Sequence, residues 1–208
     1  MNGHQLRYPR LAQELTQLLD NDQKEKMQLA REFLKDNTAD FSSERARLKH
    51  TTYARTKRMM EILEEIKEPS LSNIGSDGAL AVSVLASHDT ADTLKKVLKK
   101  FEDLYHSNRE DCRYQSIPAM TDALSIVERK PQHFGTHWFF DKDNYPFLYP
   151  VIDFEHVEER RKEYGIEPFR WPKSLAMPEA KQPWLKRPLS ELSMREPNEE
   201  EYTLNQAY

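Results

Sequence analysis

The segment Ala79–Ser87, ALAVSVLAS, is small and apolar on every side, and it constrains the fold more than any other stretch of the chain. A helix with no polar face must be surrounded by other elements. The chain therefore has to supply several further helices or a sheet around it, and the residue that ends it, His88, has to emerge inside the fold.

The surrounding sequence supplies helices. From Pro9 to about Leu34, Leu11, Leu15, Leu18, Leu19, Met27, Ala30, Phe33 and Leu34 recur at steps of three and four, which predicts an amphipathic helix. Pro9 suits its first turn, where a missing N–H costs nothing. Ser42, Ser43 and Glu44 mark the start of a second helix that reaches about Ile66 before Pro69. Its middle, Lys49 to Thr56, is unusually polar, as an exposed stretch or the wall of a wet cavity would be. Glu68 to Gly78 is dense in turn formers and is expected to be a loop. Beyond the apolar helix, Asp89 and Asp92 favour another helix start, and Leu94, Val97, Leu98, Phe101 and Leu104 form its core face. Ser116 and Pro118 open a fifth helix through Met120, Leu124 and Val127. Together these predict a core that includes Leu18, Leu34, Leu63, Val82, Leu85, Leu98, Phe101 and Leu124.

After Pro131 the pattern changes to aromatic runs, HFGTHWFF and YPFLYPVI, on either side of DKDN. This predicts a β-hairpin or two extended arms, with Pro146 and Pro150 confining the second arm to an edge. A short helix, DFEHVEERRKEY, ends at Gly165. Half of the 12 prolines follow Glu167, a composition that builds no core of its own and is expected to wrap or dangle, with Trp171 and Trp184 as its anchors. The expected fold is a mainly α, compact multi-helix bundle with one short β-hairpin or extended aromatic arm and a Pro-rich C-terminal tail. Its expected divisions are an N-terminal lead over 1–9, a helical domain over 10–166 and a partly disordered tail over 167–208.

Composition narrows function by exclusion. Hydrophobic residues make up 38% and charged residues 32%, wetter than an average globular chain. The net charge of −4 arises from 35 acidic and 31 basic residues mixed along the chain, so no nucleic-acid backbone partner is expected. With only Cys112, no intrachain disulfide and no Cys-rich zinc site can form. The opening residues show no basic-then-apolar leader, and no apolar run approaches the ~20 residues of a membrane span. The cytoplasm is the expected compartment, with no membrane partner.

Four places carry candidate chemistry. His88 either caps the apolar helix or projects into a pocket, where its imidazole is poised to exchange a proton near neutral pH. Gln132, Thr136 and His137 alternate with bulky aromatics around Gly135. A half-exposed strand explains that pattern, and so does an oriented small-molecule site. Asp22 and Gln23 interrupt the apolar stripe of the first helix, as a solvated face or as ligand-binding residues. Arg160 and Arg161 lie in an already charged helix. The reading these carry is a pocket for a small polar molecule, with His88, Gln132, Thr136 and His137 as candidate catalytic residues and Asp22, Gln23, Asp122 and Arg160 as candidate ligand-binding residues. No cofactor is implied by it, and binding and turnover are both open. A further alternative is a non-enzymatic module that docks a protein partner through the tail.

In order, these features resemble a bacterial domain family of unknown function. Its members carry an Asp-Gln pair in the first helix, a glycine-containing loop before an apolar helix ending in His, an Asp-Arg step, a Gln-x-Tyr-Gly-Thr-Gln motif and a closing Arg-Arg-x-x-x-Gly helix. Here the matching positions are Asp22-Gln23, Ser72 to Gly75, Val84 to His88, Thr121-Asp122, Gln132 to Thr136, and Arg160 to Ile166. The chain departs from the pattern at Ala123, Phe134 and His137, which stand where the family has Arg, Tyr and Gln. The resemblance implies a pocket and names no reaction. His50, His88-Asp89 and Asp122 also resemble, in order, the His…His-Asp…Asp ligand set of metal-dependent phosphohydrolases, which implies a divalent metal that activates water. Thr90-Ala91 lacks that family's usual hydrophobic-glycine continuation.

Overall fold

A computed structural model describes residues 5–36, 39–141, 143, 145–173 and 177–199. Helix α1 (Pro9–Lys35) runs the length of the amphipathic stripe, with Pro9 in its first turn. Helix α2 (Ser42–Ile66) has the expected bounds, and the rings of Phe33 and Phe41, 6.0 Å apart, meet where the two helices join. The polar middle of α2 is divided by face: Thr52 and Thr56 are buried, whereas Tyr53 is 60% exposed.

The expected loop over Glu68–Gly78 is largely helical, because its turn formers are cap and kink residues. Helix α3 (Leu71–Ser87) starts after Ser70, whose side chain accepts from the Asn73 N–H. Asn73 returns its own amide to the carbonyls of Ile66 and Glu68, which ties the start of α3 to the end of α2. Gly75, at φ +72° and ψ 176°, breaks α3 into two segments without ending it. The second segment is the apolar one. It packs against α1, α2, α4 (Ala91–Ser107) and α5 (Ile117–Val127), and Ala79, Ala81, Val82, Leu85 and Ala86 are fully enclosed. Thr90 caps α4 by accepting from Thr93 N–H, and Asp92 lies in its first turn as expected.

Leu63, Val82, Leu85, Leu98 and Phe101 are core residues as expected, and Leu18 and Leu124 pack half-buried against them. Leu34 differs. It is half-buried and outside the central cluster, because no α1 residue beyond Leu19 reaches that cluster. Residues 5–8 dock on α3, with Arg7 and Tyr8 N–H groups donating to Ser72 and Asn73 carbonyls and Leu6 packing on the core. The described part of the expected lead, from residue 5 on, therefore packs on the helical body.

Strands β1 (Trp138–Phe140) and β2 (Pro146–Leu148) pair antiparallel, with Phe139 opposite Phe147 and Pro146 opposite Phe140 at the end of the ladder. One face covers Ile126 with Phe139, Phe147 and Tyr149; Leu148, Val151, Val157 and Phe169 form a second cluster. Helix α6 (Val157–Glu163) ends as expected at Gly165, φ +60°, where Gly165 N–H donates to Lys162 and Ile166 N–H to Arg161.

Where described, the proline-rich tail is packed onto the hairpin. Trp171 and Trp184 are 7% and 2% exposed, and their indole N–H groups donate to the Arg187 and Pro172 carbonyls. Leu148 then donates to Ser193 and accepts from Arg195, so the tail adds a short bridge to β2. The anchoring tryptophans are core residues, already engaged within the chain. The rest of the expected partly disordered tail, 174–176 and 200–208, lies outside the described residues. Among the described residues, no helix is long and apolar enough to cross a membrane.

Candidate functional site

Asp22 sits in the buried face of α1 and is fully enclosed. A solvated face does not account for it. Two elements supply its partners: Thr52 Oγ1 at 3.3 Å and Arg55 Nη1 at 3.4 Å from α2 meet Oδ1, and His88 Nδ1 from the end of α3 meets Oδ2 at 2.7 Å. Burial alone raises a carboxyl, but the His88 hydrogen bond and the charges of Lys26 and Arg55 outweigh it and hold Asp22 below the ordinary carboxylate range. Arg55 also binds Glu25 at 2.8 Å, and Thr51 donates to the same carboxylate. Gln23 is half-buried, and its side chain makes no hydrogen bond among the described residues.

His88 caps α3, as one sequence reading has it, and its side chain lies within the fold. Its backbone N–H closes the last turn of α3, and its side chain, 18% exposed, turns inward to Asp22. Burial lowers the imidazole below its usual value, with Asp22 opposing and Lys26 reinforcing that shift. A neutral His88 donates its Nδ1 proton to Asp22 and keeps a lone pair on Nε2.

The second half of the site is built on Asp122, in α5 and fully buried. It accepts from His133 N–H at 2.7 Å, Phe134 N–H at 3.0 Å, Thr136 N–H at 2.9 Å and Thr136 Oγ1 at 2.8 Å. The loop folds around one carboxylate, and Gly135 at φ +61° lets it turn where a Cβ would lie 2.8 Å from the Phe169 ring. Since the Thr136 hydroxyl gives its proton to Asp122, its 3.0 Å contact with His137 Nδ1 is one in which it accepts. His137 therefore also carries its lone pair on Nε2. Burial lowers His137 too, and His88 lies near enough for its charge to add to that effect while Asp122 opposes it.

Several expected site residues are scaffold instead. Gln132 is fully buried: Oε1 accepts from His137 N–H at 2.8 Å, and Nε2 donates to the His137 and Tyr149 carbonyls at 2.9 and 3.0 Å. Both of its N–H donors are spent and its oxygen is enclosed, so a ligand cannot reach the amide. Asp122 is likewise spent on the loop. Arg160 donates to the carbonyls of His133, Ile152 and Asp153, and Arg161 to those of Phe134 and Glu167, so both clamp backbone. The metal set His50, His88, Asp89 and Asp122 does not converge. His50 is exposed, Asp122 is saturated by N–H and O–H donors, and the ligating atoms that do cluster among the described residues belong to exposed Asp153, Glu155 and His156.

Sequence reasoning missed Lys26, Thr52 and Arg55. The available signals were the four-residue step from Asp22 to Lys26, which shares a helix face, and the polar stretch that holds Thr52 and Arg55. A broad concavity of about 650 Å³ bounded by Leu71, Ser76, Arg109, Arg113 and Tyr114 contains none of these residues. In comparison with known proteins, no family model, no curated protein and no solved structure matches the chain.

Proposed function

We propose that His88, oriented by Asp22 and flanked by His137, forms an acid–base site that binds or processes a small polar molecule in the cytoplasm. The observation that carries this reading is the 2.7 Å contact between His88 Nδ1 and the fully buried Asp22 Oδ2. A carboxylate in that position fixes the tautomer and stabilises the imidazolium that forms when Nε2 takes a proton. Lowered proton affinity keeps His88 neutral near pH 7, the state a general base requires. The Asp122–Thr136–His137 chain orients a second imidazole in the same manner, through one intervening hydroxyl. Asp22, His88 and Thr136 are also motif positions of the bacterial domain family that the chain resembles, so membership of that family belongs to the same proposal.

The test is a ligand-observed NMR screen of neutral and charged polar molecules against the wild-type chain and His88→Ala. Compounds that bind the wild type are expected to lose binding in the variant, while circular dichroism and melting temperature stay close to native. Hits that bind both proteins equally, or the absence of any hit, would overturn the assignment.

A further inference from the structure

Lys26 stands one turn beyond Asp22 on α1 and is half-buried. Among the described residues its ammonium has neither a hydrogen-bond acceptor nor an ion-pair partner. The neighbouring carboxylates are already engaged: Asp22 by Thr52, Arg55 and His88, and Glu25 by Arg55 and Thr51. Lys26 is thus a surplus cation at the edge of the site. A half-buried ammonium keeps only part of its water and has no protein acceptor, and a bound anion supplies one.

Two further features define what that anion has to carry. The Nδ1 atoms of His88 and His137 are committed to Asp22 and Thr136, so both Nε2 atoms present lone pairs and call for O–H or N–H donors. Burial brings Lys26 down to about 8, with Asp22 raising and Arg55 further lowering it, so most of it remains charged at neutral pH.

We infer that Lys26 binds the oxyanion of the ligand, so that the site takes a small carboxylate or phosphate that also bears a hydroxyl group for the imidazoles. This rests on the acid–base reading of His88 and adds the substrate class to it. Lysine serves such a role as a point charge, without the planar geometry of a guanidinium.

The experiment titrates the full chain at constant ionic strength with inorganic phosphate, acetate and, as a neutral control, glycerol, following the His88, His137 and Lys26 side-chain NMR signals. Phosphate or acetate is expected to shift all three saturably while glycerol does not; whichever anion binds more tightly identifies the source of the charge. Lys26→Met should weaken that binding by about tenfold or more, the scale of one charge-assisted hydrogen bond, and Lys26→Arg should restore part of it. Equal anion binding by wild type and Lys26→Met overturns the inference. Glycerol shifting the histidines where neither anion does would overturn it as well, and would leave the acid–base reading of His88 standing. Anions that shift Lys26 and leave both histidines unmoved would support the cation's role and remove His88 from the site.

Discussion

Gln132 and His137 are joined like a base pair: the side-chain amide of Gln132 accepts from the His137 N–H at 2.8 Å and donates to the His137 carbonyl at 2.9 Å. The two residues bracket the turn at Gly135, and the Gln132 backbone is itself pinned to Pro150 and Ile152. The orientation of the His137 imidazole is thereby transmitted from the sheet side of the fold, while Asp122 controls it from α5. Gln132→Ala should lower stability by about 3 kcal/mol, since it strands buried N–H and carbonyl groups. Urea denaturation measures this. A variant of native stability would mean that the loop holds its shape without the amide.

Asp122→Asn separates the two halves of the site. Four donors converge on this carboxylate, and an amide presents one oxygen and two unwanted N–H groups in its place. A loss of about 2–3 kcal/mol is expected. Because the Asp122 charge raises His137 against its burial, the variant should titrate His137 at still lower pH. An NMR titration that finds His137 unchanged or raised contradicts the placement of the pair.

Stability should decline as pH falls below about 6.5, the ordinary histidine value. Burial holds both His88 and His137 below that value in the fold, so the unfolded chain takes up protons on them first and proton uptake favours unfolding. The loss is complete once pH passes below the folded values. The exposed His156 works in the opposite direction, since Asp153 raises it. Melting curves between pH 7.5 and about 5 should therefore show a smaller slope in a His88→Gln, His137→Gln double variant than in the wild type. Identical slopes would place the titrating groups elsewhere.

Lys26→Met should stabilise the fold near pH 7. A lysine brought down to about 8 by burial is one whose charged form the folded state disfavours, so removing the charge relieves a cost. With partial exposure discounting the effect, a rise of roughly 2–4 °C in melting temperature is expected, about 1 kcal/mol for a chain of this size. The gain should shrink above pH 8 and vanish above about 10.5, where the amine is neutral in both states. Differential scanning calorimetry across that range decides it; a lowered melting temperature at pH 7 would show that Lys26 is a stabilising residue.

Removing the chain after Gln182 should destabilise the hairpin side of the fold, because Trp184 is 2% exposed and its indole N–H is bonded to Pro172. Trp184→Ala alone is expected to cost about 3–5 kcal/mol. Thermal denaturation of either protein with a native midpoint would show that the tail merely rests on the surface.

Local pattern was enough for the elements whose signals are local. Pro9, Ser42 and Pro118 mark helix starts, Gly165 marks an end, and the aromatic runs around residues 141–145 mark a hairpin, because caps, periodicity and turn residues act within a few positions of themselves. The all-apolar stretch Ala79–Ser87 also required neighbours on every side, and that requirement carried His88 inward before any contact was known. What occupies the far end of a hydrogen bond is a different matter. Asp22 meets His88 from 66 residues away, and the same aspartate in the same helical pattern would serve equally as solvated surface. Gln132 and Arg160 share the polar character of ligand-binding residues, yet their donors and acceptors are consumed by backbone groups that only the folded loop brings within reach. Ser70 and Gly75 read as loop formers because capping and kinking a helix use the same residues as leaving one. The proline-rich tail carries little apolar surface of its own, and Trp184 is buried by the hairpin side of the molecule, against the rings of Phe140 and Tyr145. Side-chain type and spacing determined which elements form; which polar groups remain free for a ligand was decided by tertiary packing, because a hydrogen bond is satisfied by whatever partner the fold delivers.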